Sequence, residues 1–220
     1  MRACIPKPHK PELGSPPSSA PVRRRDPIIA LAAVAILLAT SPLAGCGPRA
    51  PAEAAVPAAS DIGGPFLLTA ESGARVDQSL LMGKWSAVYF GYTFCPDTCP
   101  ATLAALAGAQ ADLGAKAKDF QVVFISVDPA RDTPKQLAAY LSSPSFPKGT
   151  IGLTGSAADI QDVAARYRVY YARKGTGPDY SVDHTSVIYL MDPQGRFVTP
   201  VAEGAAPAMA KQILDAMATG

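Results

Sequence analysis

Trp85-Ser86-Ala87-Val88-Tyr89-Phe90-Gly91-Tyr92-Thr93-Phe94-Cys95-Pro96-Asp97-Thr98-Cys99-Pro100 is the stretch on which the fold turns. Its first seven residues form a near-continuous apolar run ending in glycine, the pattern of a central strand covered on both faces. Ala101 to Leu113 follow, with Leu103, Leu106, Ala107, Gln110 and Leu113 at helical spacing and Gly114 placed to end the helix. Pro96 and Pro100 disfavour helical backbone at the residue before each. Cys95 is therefore expected in the loop, and the helix start falls between Asp97 and Ala101. Both sulfurs then lie near a first helical turn, where unpaired backbone N–H groups stabilise a thiolate and lower its pKa.

Downstream, Gln121 to Val127 is β-branched and apolar, a second central strand closed by Asp128-Pro129. Asp132-Thr133-Pro134 opens a helix through Leu141, a capping side chain standing just before a first-turn proline. Ile151 to Thr154 reads as a short strand, and Ser156 to Tyr167 as a helix with Ile160, Val163 and Ala164 on one face. Val182 to Met191 reads as one long strand. Asp192 to Gly195 makes a turn, Arg196 to Val201 an antiparallel partner, and Ala205 to Met217 a final helix. Upstream, Phe66–Thr69 and Arg75–Asp77 flank Ser72-Gly73 as an N-terminal β-hairpin. This order predicts an α/β protein with a thioredoxin-like fold: a central mixed sheet flanked by helices on both faces. In such sheets chemistry collects beyond the carboxyl ends of the parallel strands, and the turn after Gly91 is one such end.

The first part of the chain has a different character. Of a formal net charge of +2, residues 1–46 hold six basic and two acidic side chains, which leaves −2 for the rest. The folded part therefore offers no basic footprint for nucleic acid, and that class of partner is set aside. Arg23-Arg24-Arg25 precede an apolar run of 12, Ile28 to Ala39, the order of an export signal and shorter than a bilayer span. The paired arginines raise the twin-arginine route, but the residues after them fit that motif poorly. Leu43-Ala44-Gly45-Cys46 resembles a bacterial lipobox, which implies cleavage before Cys46 and acyl chains on that residue. An uncleaved N-terminal anchor and ordinary cleavage are the alternatives. The organisation expected is a lipoprotein signal peptide at 1–45, a flexible Ala- and Pro-rich tether at 46–64, and one folded domain at 65–220.

Cysteines number four: Cys4 in the signal, Cys46 at the lipobox, and the pair Cys95 and Cys99. With His9 upstream of the signal, His184 is the one imidazole after Cys46. In an oxidising compartment a close thiol pair is a disulfide, a redox couple or a ligand pair. Two metal–sulfur bonds of about 2.3 Å place the sulfurs about 4 Å apart. Side chains four apart on a helix have Cβ atoms roughly 5–6 Å apart, against roughly 3.5–4.5 Å in a disulfide. Chelation tolerates the looser spacing, and a structural bridge closing so short a loop stabilises little. Two thiolates leave a metal under-coordinated, and His184 is the candidate third donor. Thiolate with imidazole suits copper, soft thiolates suiting Cu(I) in particular. Zinc would also accept this set, but a structural zinc site normally closes with four protein ligands. Three donors leave an open side, as a site that releases its metal requires. Asp97 reads as a helix cap or as a charge that tunes the sulfurs, and Asp128, Arg131 and Asp132 as a turn, ion pair and cap, with partner docking as the alternative. Met82 and Met191 read as core, Tyr170, Tyr171 and Tyr180 as strand and rim aromatics, and Asp183 alternates to the face opposite His184.

The stretch Phe90 to Pro100, with Asp128-Pro129-Ala130-Arg131-Asp132-Thr133 and Val182-Asp183-His184-Thr185 at their distances, resembles the SCO/SenC proteins. The resemblance covers Phe66 to Met217. It implies a copper chaperone, not an enzyme in the strict sense, carrying Cu(I) or Cu(II) on Cys95, Cys99 and His184. Delivery would be to the cytochrome c oxidase subunit holding the binuclear copper centre. The family is also credited with thiol–disulfide reductase activity toward that centre's cysteines, for which Cys95 and Cys99 would be the redox couple. Other periplasmic copper carriers or thiol reductants are the further partners implied. The place implied is the periplasmic side of a bacterial membrane, held by the lipid anchor. Thr98 departs from the family pattern, where many relatives carry an aliphatic residue, at a position that is not a ligand. A metal-free thiol–disulfide oxidoreductase, or a redox or copper sensor, on the same scaffold is the alternative.

Overall fold

The computed structural model describes residues 62–219. The expected signal peptide, Cys46 and the expected tether up to residue 61 lie outside the described residues. Chain entry is already docked: Ile62 packs against the core, and the Gly63 N–H donates to the Arg166 carbonyl at 3.0 Å.

Strand β3 (Trp85–Gly91) is buried along all seven residues. It runs parallel to β4 (Phe120–Ser126) in unbroken register from Trp85 opposite Phe120 to Gly91 opposite Ser126. β4 in turn is parallel to β5 (Ile151–Thr154). β1 (Leu67–Ala70) and β2 (Arg75–Asp77) form the expected hairpin, and β1 lies antiparallel on β5. On the other side of β3 lie β8 (Ile188–Met191) and β9 (Phe197–Val201), both antiparallel to their neighbours. The resulting mixed sheet has seven strands in the order β2-β1-β5-β4-β3-β8-β9.

Pleat alternation sends Tyr89 and Gly91 to one face and Phe90 to the other. On the first face Tyr89 meets Phe124, and Phe124 meets Tyr140 of α2 (Pro134–Leu141). Helix α1 (Thr98–Asp112) shares that face, bringing Cys99 against Gly91. On the second face Phe90 and Tyr189 pack on Tyr167, which caps the end of α3 (Ala157–Arg166). Helix α4 (Ala206–Thr219) lies against α1 so closely that a Cβ on Gly108 would come within 2.6 Å of the Ala206 Cβ. Helix starts follow the sequence where a side chain sets them. Thr133 caps α2 ahead of Pro134, and Ser156 with Asp159 forms a capping box on α3. Gly114, at φ 55°, follows the end of α1. Two 3₁₀ segments, Gln78–Leu81 and Gly114–Asp119, carry no periodic signal and were not expected.

One expectation is corrected. The long strand Val182–Met191 is two strands. β7 (Ser181–His184) pairs antiparallel with β6 (Tyr171–Lys174) in a separate ribbon, Tyr171 opposite His184, and the chain rejoins the main sheet only at Ile188. The break lies at Thr185. Its N–H donates to the Tyr170 carbonyl at 2.9 Å and its hydroxyl accepts the Tyr170 N–H at 3.0 Å, which closes the ribbon. Among the described residues no helix is long and apolar enough to cross a membrane.

Candidate metal centre

The carboxyl end of β3 makes room for sulfur by having no side chain. A Cβ on Gly91 would lie 2.9 Å from the Cys99 Sγ and 2.8 Å from the Phe124 ring. After it, the Cys95 N–H donates to the Tyr92 carbonyl at 3.2 Å and closes a turn that leaves Cys95 half-buried. Cys99 is fully buried in the first turn of α1 and its N–H donates to the Cys95 Sγ at 3.4 Å. That bond replaces the one expected from Asp97, whose exposed carboxylate makes no capping bond. A cap is worth about 1 kcal/mol. Burying Leu103 and Leu106 is worth about 1.5–3 kcal/mol each, so packing dominates in holding α1 in place.

His184 ends β7, on the ribbon rather than in the core strand expected for it. Its Nδ1 lies 3.0 Å from the Thr185 carbonyl oxygen. A carbonyl can only accept, so Nδ1 carries a proton, and in the neutral ring Nε2 then keeps its lone pair. Nε2 stands 3.6 Å from the Cys99 Sγ. The ring is held edge-on by Tyr92 and Tyr89, at centroid distances of 5.9 and 6.5 Å. Bonds of about 2.3 Å to sulfur and about 2.05 Å to nitrogen at a near-tetrahedral angle span about 3.6 Å. Cys99 and His184 are thus spaced for one shared ion. Among the described residues no group of three or more His, Cys, Asp or Glu side chains is already gathered around a common point for a metal. Cys95 is the half-buried sulfur beside this pair, its Sγ accepting from the Cys99 N–H. Tyr92, Cys95, Asp97, His184 and Ser186 line an open cleft of about 320 Å³.

The thiol chemistry differs from expectation. Burial pushes the Cys99 thiol up to about 12, and a hydrogen bond from the Tyr92 backbone does not offset that. Desolvation therefore outweighs the helix terminus, and any metal held by this sulfur would have to displace its proton.

A polar chain behind the sulfur was not legible in the apolar run. The Tyr89 hydroxyl lies 3.8 Å from the Cys99 Sγ and 3.4 Å from the Ser186 hydroxyl, and Ser186 donates to Glu203 at 2.7 Å. Thr102 of α1 donates to the same Glu203 oxygen at 3.2 Å. The available signal was chemical: a buried tyrosine hydroxyl needs a partner.

Asp132 is fully buried and caps nothing. It accepts from the Thr93 N–H (2.9 Å), the Thr93 hydroxyl (2.6 Å) and the Ser126 hydroxyl (2.6 Å), tying the cysteine loop to the end of β4. Asp128 and Arg131 form the expected ion pair. Asp183 faces away, 3.5 Å from Lys174. Met191 is buried as expected, whereas Met82 is exposed beside Gln194.

Comparison with known proteins agrees with this geometry. The SCO1/SenC family model matches residues 54–219. "Protein SCO1 homolog 1, mitochondrial" of Arabidopsis thaliana is 48% identical over 139 residues, 62% of this chain, which spans 41% of that relative's length. Protein SenC of Rhodobacter capsulatus is 41% identical over 169 residues, covering 74% of this chain and 75% of SenC. The crystal structure of Arabidopsis thaliana ScoI with copper bound superposes with a TM-score of 0.67 at 42% identity, over 72% of this chain and 99% of that one. With the family model covering the whole sheet, both cysteines and His184, the chain belongs to the SCO1/SenC family.

Proposed function

We propose that this chain carries copper on Cys95, Cys99 and His184 and hands it to the cytochrome c oxidase subunit that holds the binuclear copper centre. The observation that carries the reading is the 3.6 Å approach of the His184 Nε2 to the buried Cys99 Sγ, with Nδ1 turned to the Thr185 carbonyl. Copper is cargo here. Loading takes the proton from Cys99, and unloading returns it as the partner's thiolates replace Cys95, Cys99 and His184 one at a time. Soft sulfur donors favour Cu(I), and a three-donor set leaves a side open for the incoming thiolate. The copper-bound relative from Arabidopsis supports the choice of metal.

The same dithiol supports exchange with a partner's disulfide. Cys95, the more exposed sulfur, attacks one partner sulfur and releases the other as a thiolate. Cys99 then attacks the mixed disulfide, which leaves the partner reduced and Cys95–Cys99 oxidised. Other periplasmic copper carriers or thiol reductants would reload or re-reduce the pair. The chain acts from the periplasmic side of a bacterial membrane, anchored through lipid on Cys46 after loss of residues 1–45, with an uncleaved anchor as the alternative. The expected tether, 46–64, is shortened by the docking of Ile62 and Gly63, and the expected domain, 65–220, carries the copper.

The test is to purify the full chain from bacterial membranes, reduce it, and titrate Cu(I) against a coloured chelator. One copper per monomer is expected, with a thiolate-to-copper charge-transfer band when Cu(II) is used. No copper retained would overturn the reading. Intact mass of wild type and Cys46→Ala reads the lipid directly.

A further inference from the structure

We propose that Arg131 is a positioning residue for the metal centre: it clasps the β6–β7 ribbon, and with it His184, onto the cysteine loop. Among the described residues the ribbon pairs only with itself. Two-stranded ribbons are marginal alone, so contacts outside the ladder must fix where this one sits. Arg131 supplies them from the turn that follows β4. Its Nε donates to Asp128, and its Nη1 donates to the Pro178 carbonyl at 3.2 Å and the Tyr180 carbonyl at 2.9 Å. Its guanidinium carbon lies 3.6 Å from the Tyr180 ring centroid and 4.6 Å from that of Phe94. The Tyr180 hydroxyl donates to Asp128 at 2.5 Å. Arg173 of β6 lies 3.8 Å from the same Tyr180 ring. Two guanidinium groups cannot share one ring face at such distances, so Tyr180 is held from both sides.

The placement matters because of what Arg131 touches. Phe94 immediately precedes Cys95. Tyr180 enters β7, whose last residue is His184. One guanidinium therefore contacts both halves of the donor set, the loop with its sulfur and the ribbon with its nitrogen, without being a donor itself. Its charge is matched by Asp128. Geometry is what it adds: carbonyl bonds from one edge and a flat face against aromatic rings. Lysine keeps the charge and cannot reproduce either feature. When the clasp is released, the ribbon spends less time in the binding-competent position, and apparent copper affinity falls by the fraction lost.

The copper consequence rests on the function proposed above; the clasp itself does not. Two measurements on the full chain keep the two apart. The first is hydrogen–deuterium exchange of the metal-free protein. Arg131→Lys and Tyr180→Leu should speed exchange of the β6–β7 amides and of Thr185 roughly tenfold or more, while α3 amides stay unchanged. The second is Cu(I) affinity by chelator competition. Arg131→Lys should weaken it roughly tenfold in the wild type and not further in a His184→Ala background. Ribbon exchange that stays at the wild-type rate in both variants would overturn the clasp. So would exchange that rises evenly across the domain, since that marks general destabilisation. Equal affinity losses with and without His184 would overturn the positioning role. If wild type bound no copper, the function would fall while the exchange data still decided the clasp.

Discussion

The Nε2 of His184 stands 3.6 Å from the Sγ of Cys99 although 85 residues of chain separate them. The Thr185 carbonyl holds the Nδ1 proton and, in the neutral ring, leaves the lone pair on the nitrogen nearest the sulfur. The sulfur comes from the first turn of a helix in the main domain, the nitrogen from a ribbon that, among the described residues, the main sheet does not pair with. A site split between two such parts can open, which suits the proposed loading and release of a metal.

Gly91 is expected to tolerate no side chain. In Gly91→Ala the new Cβ would meet the Cys99 sulfur and the Phe124 ring at under 3 Å, so one of them must move. The expected cost is about 1–3 kcal/mol in urea unfolding, together with weakened copper binding. Wild-type stability in this variant would mean that the sulfur does not lie against the strand end.

Two residues that read alike as helix caps should behave differently. Thr133→Ala removes a hydroxyl that accepts from the Gln136 N–H at 3.2 Å and should destabilise by about 1 kcal/mol. Asp97→Ala removes no capping bond and should change stability by less than about 0.5 kcal/mol. Chemical denaturation of the two variants beside wild type checks both values.

Stability of the metal-free, reduced protein should fall in alkali. The Cys99 thiol is raised by burial from 9.0 to about 12. The unfolded chain thus releases its proton at a lower pH than the folded one. The stabilisation is complete below about pH 9 and is lost as pH rises toward about 12. Buried Tyr89, Tyr140 and Tyr167 are raised for the same reason and act in the same direction. Comparing denaturation at pH 8 and pH 10 in wild type and Cys99→Ser isolates the thiol, because serine does not titrate there. Cys99→Ser should show the shallower decline.

Much of the fold was legible because burial is written into short windows. Trp85–Gly91 matches its strand to the residue, since a run buried on both faces needs no partner to be recognised. Thr133 before Pro134 and Ser156 before Asp159 mark helix starts through bonds made within three or four residues. The failures share the opposite property. Nothing between Val182 and Met191 is glycine or proline, so the break at Thr185 leaves no local mark; it is made by Tyr170, 15 residues away. Both sulfurs were found by spacing, but the acidity of Cys99 is set by what covers it, and burial reverses the helix-terminus expectation. The partners of the Tyr89 hydroxyl depend on Ser186, 97 residues further on, and through it on Glu203. His184 could be chosen as a ligand by scarcity alone. Its mounting on a ribbon, and the arginine beneath that ribbon, could not.

X-ray absorption at the copper edge of the Cu(I)-loaded full chain, with His184→Ala beside it, reads the donor set itself. The account predicts two sulfurs at about 2.3 Å and one nitrogen at about 2.0 Å. His184→Ala should lose the nitrogen and bind copper at least roughly 100-fold more weakly. A wild-type spectrum of sulfur alone, or a His184→Ala protein with unaltered spectrum and affinity, would contradict it.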